Sequence, residues 1–243
     1  MDLSGLAGFL FGAVFCVGIA AVGIYGGIQA QKRAAERRAA LAGYATRREW
    51  EYRQSDPSLV SRFGGPPFGN GYSRSATNVF LGRHDGRPFV AFDYDYVTSS
   101  GSGRITGSRT GNRRTQHHHY SVVALSLGLP TPGLAVGPTS TFGSLINAVT
   151  GRDVQVGNPA FDQFFTVTSP SPEFALDVLH PDVVGVVMHH PELAWRLEGD
   201  SMLVIRAGQH SPQEIEAKLL FTDAVLDRIP EHVRMRLLGE PPR

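Results

Sequence analysis

The chain has 243 residues, which is enough for one compact domain with a small appendage or for two small domains, and one domain is the simpler expectation. Its 23 basic and 22 acidic residues nearly cancel, so no global field indicates a nucleic-acid partner. The single cysteine, Cys16, excludes a disulfide framework and a four-thiolate zinc site within one chain.

The first element is an apolar run without charge. No charged residue occurs from Leu3 to Ala30, and the stretch from Leu6 to Ile28 is long enough to cross a hydrocarbon core of roughly 30 Å as a helix. A cleaved signal peptide would have a basic start and a shorter apolar core. The sequence therefore predicts a retained transmembrane anchor over residues 1–30.

The charges that flank this run predict its orientation. Asp2 is the only charged residue before it, whereas residues 31–54 contain seven basic and three acidic residues. The positive-inside rule then places the amino terminus outside and the large carboxy-terminal part in the cytoplasm. We expect a single-pass protein of the cell membrane.

Four glycines of the anchor have the spacing of helix association motifs: Gly8, Gly12, Gly23 and Gly27. Pairs at i and i+4 let two helices approach closely, so a homodimer is one interpretation. The other is that glycine is simply common in membrane helices.

Two segments connect the anchor to the rest of the chain. Residues 31–54 are rich in alanine and arginine and predict a basic juxtamembrane helix, which either lies on anionic headgroups or is a solvated connection. Residues 55–75 are dense in Gly, Pro, Asn and Ser, which predicts a linker.

Residues 76–243 predict an α+β domain, with a mainly antiparallel sheet and helices packed on it. Two period-two runs meet at Asp85-Gly86, a hairpin signal, and a second hairpin turns at Gly199-Asp200. Further strands are predicted over 118–127, 152–157 and 164–169. Helices are predicted over 139–149, over 171–191 with a break at His180-Pro181, and after a cap at Ser211.

A basic, Ser/Gly-rich segment over 99–116 interrupts this pattern. It contains too little apolar area to offset its ordering entropy, so we expect a flexible loop. With the juxtamembrane helix it supplies the candidate lipid or partner contacts: Arg37, Arg38, Arg47, Arg48, Arg104, Arg109, Arg113 and Arg114.

Three stretches resemble an uncharacterised family of single-pass bacterial membrane proteins common in actinobacteria. They are "FDYDYV" (residues 92–97), "YSVVALSLGLPTPGLAV" (120–136) and "DVQVGNPAFDQFFTVTSPSPEFALDVLHPDVV" (153–184). The resemblance implies an amino-terminal anchor and a cytoplasmic α+β domain, and it implies no activity or cofactor.

No sharp catalytic motif is present: G-x-S-x-G, G-x-x-x-x-G-K-[ST], H-E-x-x-H and C-x-x-C are all missing from the sequence. Asp93 and Asp95 would share one strand face, where they suit acid–base work or a hard metal. Because Phe92, Tyr94 and Tyr96 would form the core face, the aspartates are also explained as the wet side of the strand.

The triplet His117–His119 invites a metal hypothesis. On a strand, His117 and His119 point to one face and could form a two-nitrogen platform for zinc, with His84 a conceivable third ligand. No carboxylate follows the triplet closely enough to orient an imidazole, so a plain strand entry is the alternative.

These observations favour a non-catalytic interaction or scaffold module with a protein partner still to be identified, and they indicate no cofactor. One alternative is a metal-assisted hydrolase that uses His117 or His119 with Asp93 or Asp95. Another is a module that binds anionic membrane lipids through the arginines of the juxtamembrane helix and the loop.

Overall fold

The computed structural model of the chain describes residues 25–29, 31–100, 114–140 and 151–237. Most of the predicted anchor, the glycines Gly8, Gly12 and Gly23, and the greater part of the helix predicted over 139–149 lie outside these ranges. Within the described ranges, no helix combines the length and the apolar character needed to span a membrane.

The amino-terminal segment is helical over 25–29 and 31–47, and we call the latter α1. The chain divides into two compact units between Tyr44 and Ala45. The helix predicted to reach residue 54 is shorter, since Glu49 has a φ of 58° and a strand follows. Tertiary contacts outweigh helix propensity there, because the Tyr52 hydroxyl donates to Asn78 Oδ1 at 2.8 Å and its ring packs on Phe80.

In the described part of the chain, nine strands form one sheet in which every pairing is antiparallel, in the order β1-β2-β3-β4-β9-β8-β5-β7-β6. The predicted α+β class with a mainly antiparallel sheet is confirmed. The strands are β1 (Glu51–Ser55), β2 (Tyr72–His84), β3 (Arg87–Ser100), β4 (Arg114–Ser126), β5 (Leu134–Pro138), β6 (Arg152–Asp153), β7 (Phe165–Ser169), β8 (Ala194–Glu198) and β9 (Ser201–Ala207).

Within the described ranges, five further helices follow α1. They are α2 (Pro159–Phe164), α3 (Pro172–Val178), α4 (Pro181–Met188), α5 (Pro212–Leu226) and α6 (Glu231–Leu237), and a 3-10 turn spans Pro57–Ser61. The break at His180-Pro181 and the cap at Ser211 are as predicted. Glu214 completes a capping box in which it and Ser211 satisfy each other's backbone N–H. Helix α2 lies between the strands predicted over 152–157 and 164–169, with Asn158 as its cap.

Both predicted hairpins form. Asp85 and Gly86 have φ values of 48° and 76°, as a two-residue turn with positive φ at both positions requires. The arms of the next hairpin run to Ser100 and from Arg114, so the ends of the expected loop over 99–116 belong to strands. Residues 101–113 of that loop lie outside the described ranges.

One face of the sheet, the aromatic face, bears Phe92, Tyr94, Tyr96 and Tyr120. The segment predicted as a linker over 55–75 packs on this face, because Phe63 and Phe68 contact Phe92 and Tyr94 with ring centroids 4.8 to 6.2 Å apart. Gly71 allows the close approach, since a Cβ there would lie 2.3 Å from the carbonyl oxygen of Val97. The segment therefore covers the aromatic face of the sheet and forms part of the hydrophobic core.

The opposite face, the helix face, bears Asp93 on β3 and Ser121 on β4, which are direct register partners. Helix α5 packs on β4 and β9, α4 packs on α5, and α3 packs on β7. Ile215 and Leu219 of α5 are fully buried. The sheet thus has a covered face on each side.

A buried arginine holds the cover on the aromatic face. Arg196 of β8 is fully buried, and its two terminal nitrogens donate to the carbonyls of Gly64 at 2.6 Å and Pro66 at 2.8 Å. Glu198 completes the clamp, because its Oε2 lies 2.9 Å from Arg196 and its Oε1 accepts from Gly64 N at 2.8 Å. Burial lowers the pKa of Arg196, and Glu198 opposes that effect.

We expect Arg196→Met to lower the free energy of unfolding by about 3–5 kcal/mol, because it leaves two carbonyls and a carboxylate without their buried donor. Urea unfolding followed by the fluorescence of buried Trp195 measures this. The matched control is Arg152→Met on exposed β6, which should change stability by less than about 0.5 kcal/mol. Equal effects of the two substitutions would contradict the clamp.

Candidate functional site

The helix face contains a cluster of buried acid–base groups. Asp93 accepts from Asn78 Nδ2 at 2.8 Å and from the backbone N–H of His210 at 2.7 Å, and His210 Nδ1 lies 3.2 Å from the same carboxylate. Asn78 reaches Asp93 from a bulged part of β2, where its φ is 48°. Asparagine tolerates this left-handed conformation better than most residues.

Lys218 of α5 continues the cluster. Its Nζ donates to Ser121 Oγ at 2.5 Å and to Ser121 O at 3.1 Å, and it lies 3.4 Å from His210 Nε2. Thr222, one helical turn later, donates to the Lys218 carbonyl at 2.8 Å. We call Asp93, Ser121, His210 and Lys218 the buried network.

Burial dominates the electrostatics of the buried network. It lowers the pKa of His210 to about 4, with the Lys218 charge acting in the same direction and the Asp93 hydrogen bond opposing it. Burial also lowers the pKa of Lys218 to about 7, against the attraction of Glu214. At neutral pH His210 is therefore uncharged, and a proton leaves Lys218 far more readily than it leaves a lysine in water.

The chemistry of the buried network is that of a nucleophile beside a base, but its setting is closed. Asp93 and Ser121 have no exposed surface, and His210 and Lys218 are 2 % exposed. A substrate atom would need to lie within hydrogen-bond reach of these groups, which the packing of α5 on the sheet prevents. The arrangement can hold and shift a proton internally, and it specifies how α5 docks.

Asp93 was predicted either as a site residue or as part of the wet side of β3, and the second interpretation is wrong, since the carboxylate is fully buried. His210 and Lys218 were not predicted. A signal was available for Lys218, because it lies three residues after Ile215 and four before Thr222, on the apolar stripe of α5. Nothing local marked His210, which lies in the β9–α5 connection.

The histidine triplet lies on β4 as expected, with alternating side chains. His119 pairs with Asp95 across the strands, Nδ1 to Oδ1, and His117 lies opposite Val97. His118 points to the aromatic face, where it stacks on Tyr96 at 4.6 Å and bonds Thr98 Oγ1 at 2.9 Å. Asp95 thus supplies the carboxylate partner that was not found downstream of the triplet.

The third ligand suggested for a metal, His84, lies at the far end of the hairpin. Its register partner Arg87 is eight residues from Asp95 along β3, a separation of roughly 26 Å at the usual rise of a strand. His84 Nε2 instead lies 2.5 Å from Asp223 Oδ2 on α5. Across the described residues, no group of three or more His, Cys, Asp or Glu side chains is arranged to hold a metal ion.

The predicted arginine contacts are only partly visible. Arg37 and Arg38 lie on α1, Arg47 is its last residue, and Arg48 follows it. Arg48 forms an ion pair with Glu216 of α5. Of the loop arginines, Arg114 begins β4, and the others lie outside the described residues: Arg104, Arg109 and Arg113.

A partly open apolar pocket of about 130 Å³ lies on the helix face, at the hairpin end of the sheet. Leu127 and Leu197 line it from the sheet, α3 contributes Phe174, and the α5–α6 region contributes Leu226 and Ile229. Two cations, Arg87 and Arg234, also line it. No sequence pattern pointed to this pocket, because its lining comes from five separate parts of the chain.

These features define a class of protein: an α+β domain on a nine-stranded antiparallel sheet, with its acid–base groups internal and an apolar pocket beside its last helices. No protein-family model matches the chain, and no curated protein matches it.

The fold is shared with a particular solved structure, the crystal structure of the mycobacterial trehalose monomycolate transport factor A, TtfA. The TM-score is 0.58 at 14% identity, and the match covers 85% of this chain and 98% of that one. At this identity the likeness shows the fold alone. The mycobacterial source is consistent with the resemblance to an actinobacterial family.

We expect the domain to lose stability as the pH falls from about 6.5 to about 4, because the unfolded chain then protonates His210 and the folded chain does not. His210→Gln should flatten this dependence by roughly 1–3 kcal/mol, since glutamine does not titrate. Urea unfolding at both ends of the window measures the slope, with His232→Gln on exposed α6 as control. An unchanged slope in His210→Gln would contradict the assignment.

Proposed function

We propose that the chain is a non-catalytic interaction module, anchored in the cell membrane by its apolar amino-terminal run, that assists a lipid transport machinery. The closure of the buried network carries this proposal. The side chains suited to acid–base chemistry are at most 2 % exposed in Asp93, Ser121, His210 and Lys218. Because no substrate can reach the buried network, we assign it to stabilising the fold. The outer surface is then the part of the domain that can bind a partner.

The name of the structural neighbour supports the transport context. That protein is described as a transport factor for trehalose monomycolate, and the match spans 98% of it. Because nearly the whole of that chain is matched, the likeness concerns the complete domain and not a common motif. A role as an accessory factor requires binding surfaces and no reaction, which agrees with a closed interior.

The proposed location rests on the charge distribution along the sequence. An uncharged run from Leu3 to Ala30 is followed by seven basic and three acidic residues over 31–54. This asymmetry favours a single-pass protein with its amino terminus outside and its folded domain in the cytoplasm. The domain would then meet partners at the inner surface of the membrane.

Exposed apolar side chains provide positions from which to detect a partner. Phe164 at the end of α2 is 61% exposed and Leu220 on α5 is 62% exposed. A photocrosslinking amino acid at either position can replace an apolar side chain that already faces solvent, so the fold should tolerate it.

We expect crosslinking at Leu220 or Phe164 in native membranes to join the full chain to an integral membrane protein of lipid transport, identified by mass spectrometry. Ser121→Ala removes the only hydroxyl of the buried network and should leave the crosslink yield unchanged. A substrate turned over by the purified chain, with loss of turnover but not of fold in Ser121→Ala, would contradict the non-catalytic role.

For the topology, we expect a reporter fused after Arg243 to be active only in the cytoplasm, because the basic residues after the apolar run resist translocation. Replacing Lys32, Arg33, Arg37 and Arg38 by glutamine should raise the inverted fraction. A reporter that reads out on the extracytoplasmic side in the unmodified chain would show the proposed orientation to be wrong.

A further inference from the structure

We propose that the apolar pocket beside Arg87 binds the acyl end of an anionic amphiphile, with the negative head group held by the guanidinium groups of Arg87 and Arg234. This proposal names a class of ligand, and its biological meaning rests on the proposed function in lipid transport.

The size and lining of the pocket fit a hydrocarbon segment. Eight of its eleven lining residues are aliphatic or aromatic, and its volume is about 130 Å³. An apolar protein cavity of roughly this size can hold a benzene-sized group, which corresponds to about six carbons of an alkyl chain. The pocket is partly open, so the remainder of a longer chain and its head group can lie outside.

The charge at the pocket selects the head group. Arg87 is half-buried at the start of β3, and its guanidinium makes no hydrogen bond or ion pair with any described residue. Arg234 of α6 donates to the Leu226 carbonyl at 2.5 Å and is paired with no carboxylate within the described part of the chain. Two guanidinium groups beside an apolar pocket complement a carboxylate or a phosphate ester on an acyl chain.

The nearby acidic groups do not neutralise this charge. Asp223 lies on α5, three residues before the pocket residue Leu226, and its Oδ2 is 2.5 Å from His84 Nε2. Asp227 and Glu231 line a neighbouring groove that also includes Arg234, yet neither forms an ion pair with it. Arg87 therefore remains the principal cation available to a ligand.

The test uses the full chain in phosphatidylcholine nanodiscs. The probe is a fatty carboxylate that has a diazirine at its methyl end. After irradiation, digestion and mass spectrometry locate the attached probe. We expect attachment to residues of the pocket, such as Leu129, Phe174 or Val178. An excess of an alkyl phosphate should compete, whereas the alkyl alcohol and inorganic phosphate should not.

Two substitutions and one control examine charge and volume separately. Arg87→Gln should reduce pocket labelling about tenfold, since one charge-assisted contact is lost, and Leu129→Trp should reduce it by filling the pocket. Arg152→Gln makes the same charge change on β6 and should leave labelling unchanged. Circular dichroism melting verifies that each variant is folded.

Three results would overturn the proposal: probe attachment only outside the pocket, equal competition by the neutral alcohol, or equal labelling of Arg87→Gln and the unmodified chain.

A fourth result that would overturn it concerns residues 238–243, which directly follow the pocket residue Leu237. If a chain shortened after Leu237 is labelled and the full chain is not, the occupant is the chain's own carboxy-terminal segment. The labelling test requires no protein partner. If the proposed interaction role proved wrong, the result of the labelling test would therefore still stand.

Discussion

The fully buried carboxylate of Asp93 is the constraint on which the helix face depends. A buried carboxylate requires hydrogen-bond donors, and they come from different elements: the Asn78 side chain in the bulge of β2 and the His210 backbone before α5. Because both must be in place together, the bulge, the β3–β4 register and the entry to α5 are coupled. Lys218 extends the coupling to Ser121 on β4.

The aromatic face obeys the same rule with the opposite charge. Arg196 is buried beneath the segment that covers Phe92 and Tyr94, and its donors are used by the carbonyls of Gly64 and Pro66. Each side of the sheet thus contains buried ionisable side chains, Asp93 and Lys218 on the helix face and Arg196 on the aromatic face, that bond across to the layer packed on it. Such groups add specificity of docking more than net stability, because desolvation offsets much of their attraction. These buried groups hold the layers together, whereas the apolar pocket beside Arg87 remains partly open.

Candidate sites were predictable only where their residues are local in sequence. The strand period placed Asp93 and Asp95 on one face of β3, and His117 and His119 on one face of β4. The register of the two strands, which the structure supplies, puts both pairs on the same face of the sheet. Burial was not predictable from that period, because it depends on whether a helix from elsewhere in the chain covers the face. For this reason Asp93 was assigned to solvent, and His210 and Lys218, 117 and 125 residues further along, were not associated with it.

The sequence by itself determined the elements that local chemistry specifies: the hairpin at Asp85-Gly86, the break at His180-Pro181, the capped start of α5 and the mainly antiparallel α+β class. Turn conformations and caps are set by a few adjacent residues, so they can be read before the chain is folded. Only the tertiary structure decided the strand order, the use of residues 55–75 as a core cover, the closure of the buried network and the pocket. Each of these arises from contacts between residues distant in sequence, whose free energy no local pattern contains.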